Sequence, residues 1–319
     1  MRSSDKTAPA GLQQVHGFWN TEACDTHVVE SASGDADFYE KFREQRYRTQ
    51  WHIPMLVPFA EARGKRVLEI GTGNGADGVM FALNGGIYTG VDLTEAALEA
   101  TRKHFQVLGL NGAFEKGNAE QLSFADETFD IVYSHGVLHH TPDTQKAINE
   151  VWRVLKPNGR AIIMLYHKRS FNYYVRIMTF MRLRVLLEIL RNARSLKKDR
   201  DQNRPAAILG LRGNQDRRVW DVHYENFLKQ GWSYLLARNF IHRCTDGPEC
   251  PVARAFSKSQ AQQLFKNFVG VEMKVAHFPL KRYSQRFPFW AEKVLAASLG
   301  WYLFIFATKP QGQSKIHPG

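Results

Sequence analysis

Three glycines at alternating positions, Gly71, Gly73 and Gly75, follow a short apolar run at residues 67–70 and precede a helix-like stretch that starts at Ala76. This order is typical of a strand, a tight turn and a helix. Glycine adopts positive φ without steric strain, and its missing Cβ lets a ligand lie directly on the backbone. The unpaired N–H groups at the start of the helix point outward. The turn therefore predicts a binding site for a small molecule.

Two acidic residues indicate what kind of molecule this is. Asp92 ends the next apolar run, residues 87–91, at a spacing of about twenty residues that places a carboxylate beside a ribose diol. The glycine pattern is G-x-G-x-G, not the G-x-G-x-x-G of dinucleotide folds. Glu69, next to the turn, disfavours a polyanion and favours a ligand with positive charge. S-adenosylmethionine is a nucleoside with a sulfonium and an ammonium, so these residues predict it as the ligand.

The elements that position these residues alternate between strand and helix from Lys65 onward, which predicts parallel strands joined by crossover helices. Thr94 is a good N-cap for the helix after Asp92. The sequence Pro-Asn-Gly at 157–159 predicts a turn into the fifth strand. We predict strands at 66–70, 87–91, 113–117, 129–134 and 160–166, and helices at 76–84, 94–108 and 143–155.

Four ordered motifs in this region carry a resemblance to a known family. They are V-L-E-I-G-T-G-N-G from residue 67, V-D-L from residue 91, the run from G-N-A-E-Q-L at residue 117 to H-H-T-P-D at residue 143, and E-V-W-R-V-L-K-P-N-G-R from residue 150. Together they resemble the class I S-adenosylmethionine-dependent methyltransferases, of the branch that includes ubiquinone and menaquinone biosynthesis enzymes. The resemblance covers about residues 64–166. It implies a Rossmann-like α/β fold with a seven-stranded, mostly parallel sheet and an antiparallel last strand.

The resemblance also implies which residues hold S-adenosylmethionine. Position by position, it assigns the methionine part of the cofactor to Glu69, Gly71, Gly73 and Gly75, and the ribose to Asp92. The adenine is assigned to Leu93, Asn118 and Ala119. The floor between cofactor and acceptor is assigned to Ser134, His135 and Gly136. Many relatives have Asp where this chain has Asn118. An amide still offers an acceptor for the adenine amino group.

Methyl transfer to a hydroxyl or an acidic carbon also requires that one proton be removed. Histidine suits this task because its reference pKa lies near neutrality. The Leu-His-His stretch at 138–140 recurs in relatives with different acceptors, which favours a helix-start or loop role for it. The general base stays open at this point, and the candidates are His135, His139, His140, Tyr166 and His167.

We divide the chain into an N-terminal lid (1–60), a cofactor-binding core (61–167), a helical basic insertion (168–256) and a completion of the sheet (257–319). In the lid, residues 16–30 are interpreted as an irregular aromatic segment. Residues 37–51, broken off at Pro54 and Pro58, predict an amphipathic helix that closes over the site or only covers the sheet edge. In the last part we predict a helix at 260–267, capped by Ser257 or Ser259, and strands at 271–278 and 300–308.

The insertion carries most of the net charge of +12, because residues 168–218 contain fourteen Lys and Arg and four acids. Residues 171–192 predict a helix on which the arginines at 176, 184, 191 and 194 share a sector of about 80°. Three interpretations stay open: contact with an anionic membrane surface or a lipid-like acceptor, a grip on a phosphorylated or nucleic-acid partner, and a cap helix with arginines in solvent. Residues 197–218 predict a mobile loop, and 220–230 a helix that Gly231 ends.

Composition limits the compartment and the metal chemistry. With 319 residues and 44% hydrophobic content, the chain is long enough for one large domain with an insertion. It shows no secretory signal and no charge-free apolar span of membrane length. Three cysteines, Cys24, Cys244 and Cys250, fit a reducing cytosol, and C-x5-C is poor spacing for a metal. We therefore expect no metal and a cytoplasmic protein, with membrane-peripheral association as the alternative.

These observations predict a methyltransferase that acts on a small-molecule acceptor, apolar or aromatic and bearing an acidic group. We expect the acceptor pocket to be walled by Phe18, Trp19, Phe38, Tyr39 and the insertion helix from Phe171. The alternatives are an RNA- or membrane-associated methyltransferase and a non-catalytic cofactor-binding module. Nucleic acid is disfavoured because the aromatics of the insertion precede most of its charge. The methylated atom and the oligomeric state stay open.

Overall fold

The parallel strands predicted from residue 66 onward form the centre of the fold in the computed structural model, which describes residues 11–21, 36–191, 214–247, 250–278, 280 and 288–312. The strands are β1 (Arg66–Ile70), β2 (Ile87–Asp92), β3 (Ala113–Lys116), β4 (Phe129–His135), β5 (Leu155–His167), β6 (Ala255–Phe256), β7 (Val269–Ala276) and β8 (Tyr302–Thr308).

Helices cover both faces of the sheet and precede it at the N-terminal side. They are α1 (Leu12–Thr21), α2 (Ala36–Thr49), α3 (His52–Leu56), α4 (Ala76–Leu83), α5 (Glu95–Val107), α6 (Thr144–Val154), α7 (Arg182–Arg191), α8 (Asn214–Gln230), α9 (Ala237–Phe240), α10 (Lys258–Leu264) and α11 (Phe289–Leu299). A π-helix, Asn172–Met181, leads directly into α7. Short 3-10 turns lie at Phe59–Ala62, Leu138–His140, Gly231–Leu235 and Ile241–Arg243.

Seven strands follow one another in the order β3-β2-β1-β4-β5-β8-β7, and the two-residue β6 pairs with β5 beside this path. β1 to β5 are parallel to one another, whereas β8 is antiparallel to both β5 and β7. The predicted Rossmann-like sheet with an antiparallel last strand is confirmed, with β6 as an additional short strand.

Successive side chains along each strand point to opposite faces of the sheet, and this divides the buried core into two halves. Val67, Ile131 and Ile162 pack with one buried cluster, and their strand neighbours Leu68 and Val132 pack with the other. Because each central strand buries both faces, its sequence is mostly apolar, as expected for a parallel sheet covered by helices. This rigid centre fixes where the strands end.

Local capping explains where three of the helices begin. The Thr94 hydroxyl accepts from the Ala97 N–H at the start of α5. Asp143 accepts from two N–H groups at the start of α6. Ser257 and Gln260 form a reciprocal capping box at α10, which confirms Ser257 as the predicted cap.

The N-terminal segment differs from its prediction. Residues 16–21 of the supposed irregular segment lie in α1, which begins at Leu12, and 22–30 lie outside the described residues. The predicted helix at 37–51 ends at Thr49 and α3 follows directly. Pro54 does not break α3, because it lies in the first turn, where its missing N–H needs no partner.

The insertion and β5 also depart from expectation. The predicted helix at 171–192 is π-helical up to Met181 and α-helical only afterwards. The loop predicted at 197–218 lies outside the described residues as far as 213, and α8 already begins at Asn214. The Pro-Asn-Gly turn is a bulge inside β5, with Asn158 at φ 61°.

In the part of the chain that the structure describes, no helix combines the length and apolar character that are needed to cross a membrane.

Candidate active site

Because the strands from β1 to β5 run parallel, their carboxyl ends lie along one edge of the sheet, where a cavity of about 260 Å³ opens. We call the side formed by the turn after β1 and by the end of β2 the glycine end. The aromatic end, across the sheet, is bordered by β5 and β8. The predicted residues that line the cavity are Glu69, Gly71, Gly73, Asp92, Leu93, Asn118, Ala119, His135, Gly136, His140 and Tyr166.

The three glycines of the turn all have positive φ, but a side chain would meet different surroundings at each. A Cβ on Gly71 would lie 2.1 Å from Val137 Cγ2, and one on Gly75 would lie 2.8 Å from Thr101 Cγ2. A Cβ on Gly73 would meet no atom within 4 Å. Gly75 therefore serves the packing of α4 on α5 behind the cavity wall, whereas Gly73 leaves space open inside the cavity.

Asp92 is held by hydrogen bonds to both carboxylate oxygens. Oδ2 accepts from the Thr72 N–H at 2.9 Å, and Oδ1 accepts from the N–H and the hydroxyl of Thr94, each at 2.9 Å. Burial raises the pKa of Asp92, and these donors oppose that shift. The carboxylate is thus fixed in direction and retains further lone pairs for a ligand.

The remaining predicted cofactor residues divide into two groups. Leu93, Asn118 and Ala119 line the cavity, and Asn118 Oδ1 also accepts from the Glu120 N–H at 3.0 Å. Ser134 does not line it. Its fully buried hydroxyl donates to the Ile70 carbonyl at 2.8 Å and so ties β4 to β1.

No local motif indicates the buried ion pair between Arg46 of α2 and Asp77 of α4, both of which line the cavity. The guanidinium donates to both carboxylate oxygens, at 3.1 and 2.5 Å, and the hydroxyls of Tyr47 and Tyr133 add hydrogen bonds. Burial alone would raise the pKa of Asp77, but Arg46 brings it down to about 2. The sequence does contain one indication of this ion pair, because Asp77 is the one charged residue in the otherwise apolar sequence of α4.

Glu69 lies close to this pair and has a different partner. Its Oε2 accepts from the Tyr88 hydroxyl at 2.5 Å. Burial raises the pKa of Glu69 well above its usual range, and the negative charge of Asp77 adds to the effect. The wall of the glycine end thus holds two buried carboxyl groups whose pKa values are shifted in opposite directions.

The five candidate bases are not equally placed. His139 and His167 are buried and do not line the cavity. His139 packs its ring against Tyr166, with centroids 3.8 Å apart, and His167 Nδ1–H donates to the Gly300 carbonyl at 3.2 Å. His135 lines the cavity, but burial and then Arg46 lower its pKa to about 3, so it is a weak proton acceptor.

His140 has the contacts of an oriented imidazole. Its Nδ1–H donates to the Val252 carbonyl at 2.6 Å, which places the lone pair of the neutral ring on Nε2. Nε2 lies 3.4 Å from Asp246 Oδ2, and the Tyr166 hydroxyl donates to Asp246 Oδ1 at 2.6 Å. Asp246 comes from the insertion, far along the chain, and no spacing in the sequence pointed to it.

Two of the same residues, together with Cys250, lie close enough to be considered as metal ligands. Within the described ranges, His140, Asp246 and Cys250 place ligand atoms within 4.8 Å of one another. Asp246 faces Nε2, whereas Cys250 Sγ lies 3.8 Å from Nδ1, which already donates to Val252. Because the two partners face different ring nitrogens, the arrangement favours a hydrogen-bonded cluster over a metal centre.

The aromatic wall is only partly the predicted one. Trp19 lines the cavity and packs edge-on against His140, with ring centroids 5.0 Å apart. Phe18, Phe38, Tyr39 and Phe171 do not line it; Tyr39, for example, stacks on His104. Phe42 and Tyr302 take their place in the lining. The expectation failed because a helix of aromatic residues must place some of them in the core.

The glycine end fits the adenosyl part of S-adenosylmethionine. Gly73 leaves room against the backbone, and Asp92 presents fixed acceptors. The buried Thr72 hydroxyl lines the same wall and has no hydrogen-bond partner among the described residues. Such a group is explained by a ligand with polar atoms at this place.

Comparison with known proteins agrees with this geometry. Residues 68–163 match the family described as "Methyltransferase domain". The chain is 34% identical over 128 residues to the uncharacterized methyltransferase YcgJ of Bacillus subtilis (strain 168), covering 39% of this chain and 51% of that protein. It is 37% identical over 115 residues to phthiotriol/phenolphthiotriol dimycocerosates methyltransferase 1 of Mycobacterium ulcerans (strain Agy99), covering 35% and 39%.

A third relative is the ubiquinone biosynthesis O-methyltransferase of Coxiella burnetii (strain Dugway 5J108-111), which is 31% identical over 113 residues, covering 35% of this chain and 48% of that protein. The chain thus spans about half or less of the length of these relatives. The residues that match the family, 68–163, contain the glycine turn, Asp92 and the 138–140 stretch. Residues 68–163 thus match a methyltransferase domain family, and S-adenosylmethionine is the cofactor that this match supports.

Proposed function

We propose that this protein transfers a methyl group from S-adenosylmethionine to a small molecule with an apolar or aromatic body, at an atom that gives up a proton. One observation carries the proposal. A single cavity joins the glycine turn and Asp92 to the His140–Asp246 pair, with aromatic rings around the latter.

At the glycine end, we assign the ribose hydroxyls to Asp92 and the methionine part to the backbone of Gly71 and Gly73. Leu93, Asn118 and Ala119 lie where they would hold the adenine. Glu69 and Asp77 supply acidic groups for the ammonium, and Arg46 a cation for the carboxylate. When bound, S-adenosylmethionine supplies an electrophilic methyl group.

At the aromatic end, we assign the role of proton acceptor to His140. With Nδ1–H bound to Val252, the lone pair on Nε2 faces the Asp246 carboxylate. Two acceptors that face each other at 3.4 Å repel unless a proton lies between them. A proton taken up by Nε2 would therefore lie between the imidazole and the Asp246 carboxylate.

In this geometry His140, Asp246 and Tyr166 each have a role in the reaction. The acceptor molecule loses its proton to His140 Nε2 and gains the methyl group, and the resulting imidazolium is balanced by Asp246. Tyr166 holds Asp246 in place through its hydroxyl. Burial and then Asp246 raise the pKa of Tyr166 well above its usual range, so it stays a hydrogen-bond donor throughout.

The class of acceptor follows from the lining. Trp19, Phe42 and Tyr302 offer apolar surface, which suits an aromatic ring or an alkyl chain. The names of two relatives refer to ubiquinone biosynthesis and to phthiotriol dimycocerosates, which makes hydroxyl-bearing apolar compounds the first acceptors to examine. The insertion, residues 168–256, contributes Asp246 to this wall, in line with its predicted role as an acceptor cap.

The experiment is a transfer assay with methyl-tritiated S-adenosylmethionine. Phenols, catechols, long-chain secondary alcohols and an organic extract of the producing cells are each incubated with the protein, and label is counted in the organic phase. We expect label with at least one hydroxyl compound and none with the Asp92→Ala variant. If the wild type binds the cofactor but labels nothing in the panel or the extract, the proposed acceptor class is wrong.

A further inference from the structure

The outer surface of the insertion carries an apolar strip. Between residues 172 and 191 six large apolar or aromatic side chains are exposed, each with 43% or more of its surface accessible: Tyr174, Val175, Phe180, Leu183, Leu187 and Leu190. Soluble monomers seldom expose apolar side chains in such a continuous run. We call these six residues the outer strip.

In α7 the strip lies opposite a second apolar face. At 100° per residue, Leu183, Leu187 and Leu190 fall within a sector of about 60°. Val185 and Ile189, which are buried in the core, lie on the other side of the same helix. α7 packs against α8 with this inner face. The inner face of α7 thus packs the helix onto the core, and the outer leucines take no part in this packing.

The charged side chains of residues 172–191 are nearly all positive. Residues 172–191 contain the arginines at 176, 182, 184 and 191 and a single acid, Glu188, which pairs with Arg191. On the helix, Arg182 falls on one flank of the outer leucines, and Arg184 and Arg191 fall on the other. An apolar strip bordered by guanidinium groups matches a phospholipid interface, where leucines enter the acyl boundary and arginines reach phosphates.

Other occupants fit this surface less well. A second copy of the chain, packed strip to strip, would bring two rows of arginines together. A nucleic acid would be held by bases stacked between basic side chains, whereas the outer residues of α7 are leucines.

We propose that the outer strip docks the protein on the surface of an anionic phospholipid membrane, with Arg182, Arg184 and Arg191 at the headgroup level. The element lies on the surface without crossing the bilayer. The docking stands apart from methyl transfer, although it would bring the cavity to molecules dissolved in the membrane if the proposed acceptor class is correct.

The test is co-sedimentation of the full chain with vesicles of phosphatidylcholine alone or mixed in equal parts with phosphatidylglycerol. We expect binding to the mixed vesicles at low salt, weaker binding at high salt and little binding to phosphatidylcholine alone. Phe180→Ser/Leu183→Ser/Leu187→Ser should weaken binding more than about tenfold. Arg184→Gln/Arg191→Gln should weaken it about fivefold per arginine.

The matched control is Leu83→Ser/Ile87→Ser, which removes two exposed apolar side chains beside the amino end of β2. It should bind vesicles as the wild type does. Calorimetry with S-adenosylmethionine checks that every variant keeps a folded core, and it reports on the cofactor site independently of docking. Absence of wild-type binding to the mixed vesicles, or unchanged binding by the triple serine variant, overturns the proposal. So does a wild-type dimer that the triple variant converts to monomer, since the strip would then be a self-association surface.

Discussion

At the glycine end of the cavity, the turn and its acids come from one β-α-β unit, residues 66–92, whereas the aromatic end collects Trp19, His140, Tyr166, Asp246 and Tyr302 from five separate parts of the chain. The first end acts mainly through its backbone, by positive φ and by N–H groups that hold Asp92. The second acts through side chains that long-range packing brings together. Substitutions at the two ends should therefore have separable effects, the first on cofactor affinity and the second on turnover.

The largest effect is expected at the aromatic end. His140→Gln removes the proposed proton acceptor, and turnover of a hydroxyl acceptor should fall by about 10²–10⁴. The dissociation constant for S-adenosylmethionine should stay close to that of the wild type, because His140 lies beyond the glycine end. Steady-state rates and calorimetry measure the two quantities.

Asp246→Asn sharpens this test because an amide cannot balance an imidazolium. Turnover should fall in this variant too, and the loss in the double variant should be far from additive. His167→Gln serves as the comparison, since His167 is buried outside the cavity. Equal losses in His167→Gln and His140→Gln would show that the aromatic end has no special proton acceptor.

The second effect concerns the Arg46–Asp77 pair, which joins α2 to the glycine end. Arg46→Met leaves the buried Asp77 without its cation, and the free energy of unfolding should drop by about 3–5 kcal/mol. Arg102→Met breaks the exposed pair with Glu95 and should cost less than about 1 kcal/mol. Denaturant unfolding compares them. A similar loss in both would mean that α2 is not locked to the core by this pair.

At the glycine end, Asp92→Ala should weaken S-adenosylmethionine binding by about 2–3 kcal/mol, because charge-assisted hydrogen bonds to the ribose are lost. Glu95→Ala removes a nearby exposed acid and should leave affinity unchanged. Calorimetric titration of both variants separates a specific contact from a change in local charge. Affinity of Asp92→Ala within a factor of about two of the wild type would contradict the ribose assignment.

The smallest effect is a pH dependence beneath the glycine turn. The Nδ1–H of His104 donates to the Asn74 carbonyl at 2.8 Å, and burial lowers the pKa of His104 to about 4. Because the unfolded chain binds a proton near pH 6.5 and the folded chain does not, this histidine makes stability fall as pH drops from about 6.5 to about 4.

Between pH 7 and pH 5.5 this difference amounts to about 1 kcal/mol. Replacing His104 by Gln removes that titration, so the variant should lose less stability over the same interval than the wild type. Urea unfolding at both pH values measures it. An identical pH dependence in the two proteins would show that His104 does not titrate as described.

The glycine end was predictable from the sequence because its signals are local. Strand, turn and helix follow one another at 66–83, and the spacing to Asp92 reflects one crossover. The same reasoning did not hold for Ser134, which was predicted to contact the cofactor. Ser134 lies at the expected place in the fold, but its hydroxyl donates to the Ile70 carbonyl. A motif fixes where a residue lies in the fold, and the neighbouring backbone decides what its side chain contacts.

The aromatic end could be predicted only as a set of candidates. The histidines at 135, 139, 140 and 167 are close in sequence, and only burial and partners separate them. Asp246 and Arg46 carry no motif, because their roles come from contacts with residues about 106 and 31 positions away in sequence. Helix α11 was missed because its apolar sequence shows little amphipathic periodicity.

One titration tests the central claim most directly. The wild type, Gly73→Val and Gly109→Val are titrated with S-adenosylmethionine by calorimetry. Gly73 and Gly109 both have positive φ and open space beside them, so the valines impose similar backbone strain, but only Gly73 lines the cavity. We predict micromolar binding by the wild type and by Gly109→Val, and loss of binding in Gly73→Val. Equal affinity in all three proteins, or no binding by the wild type, would contradict the account.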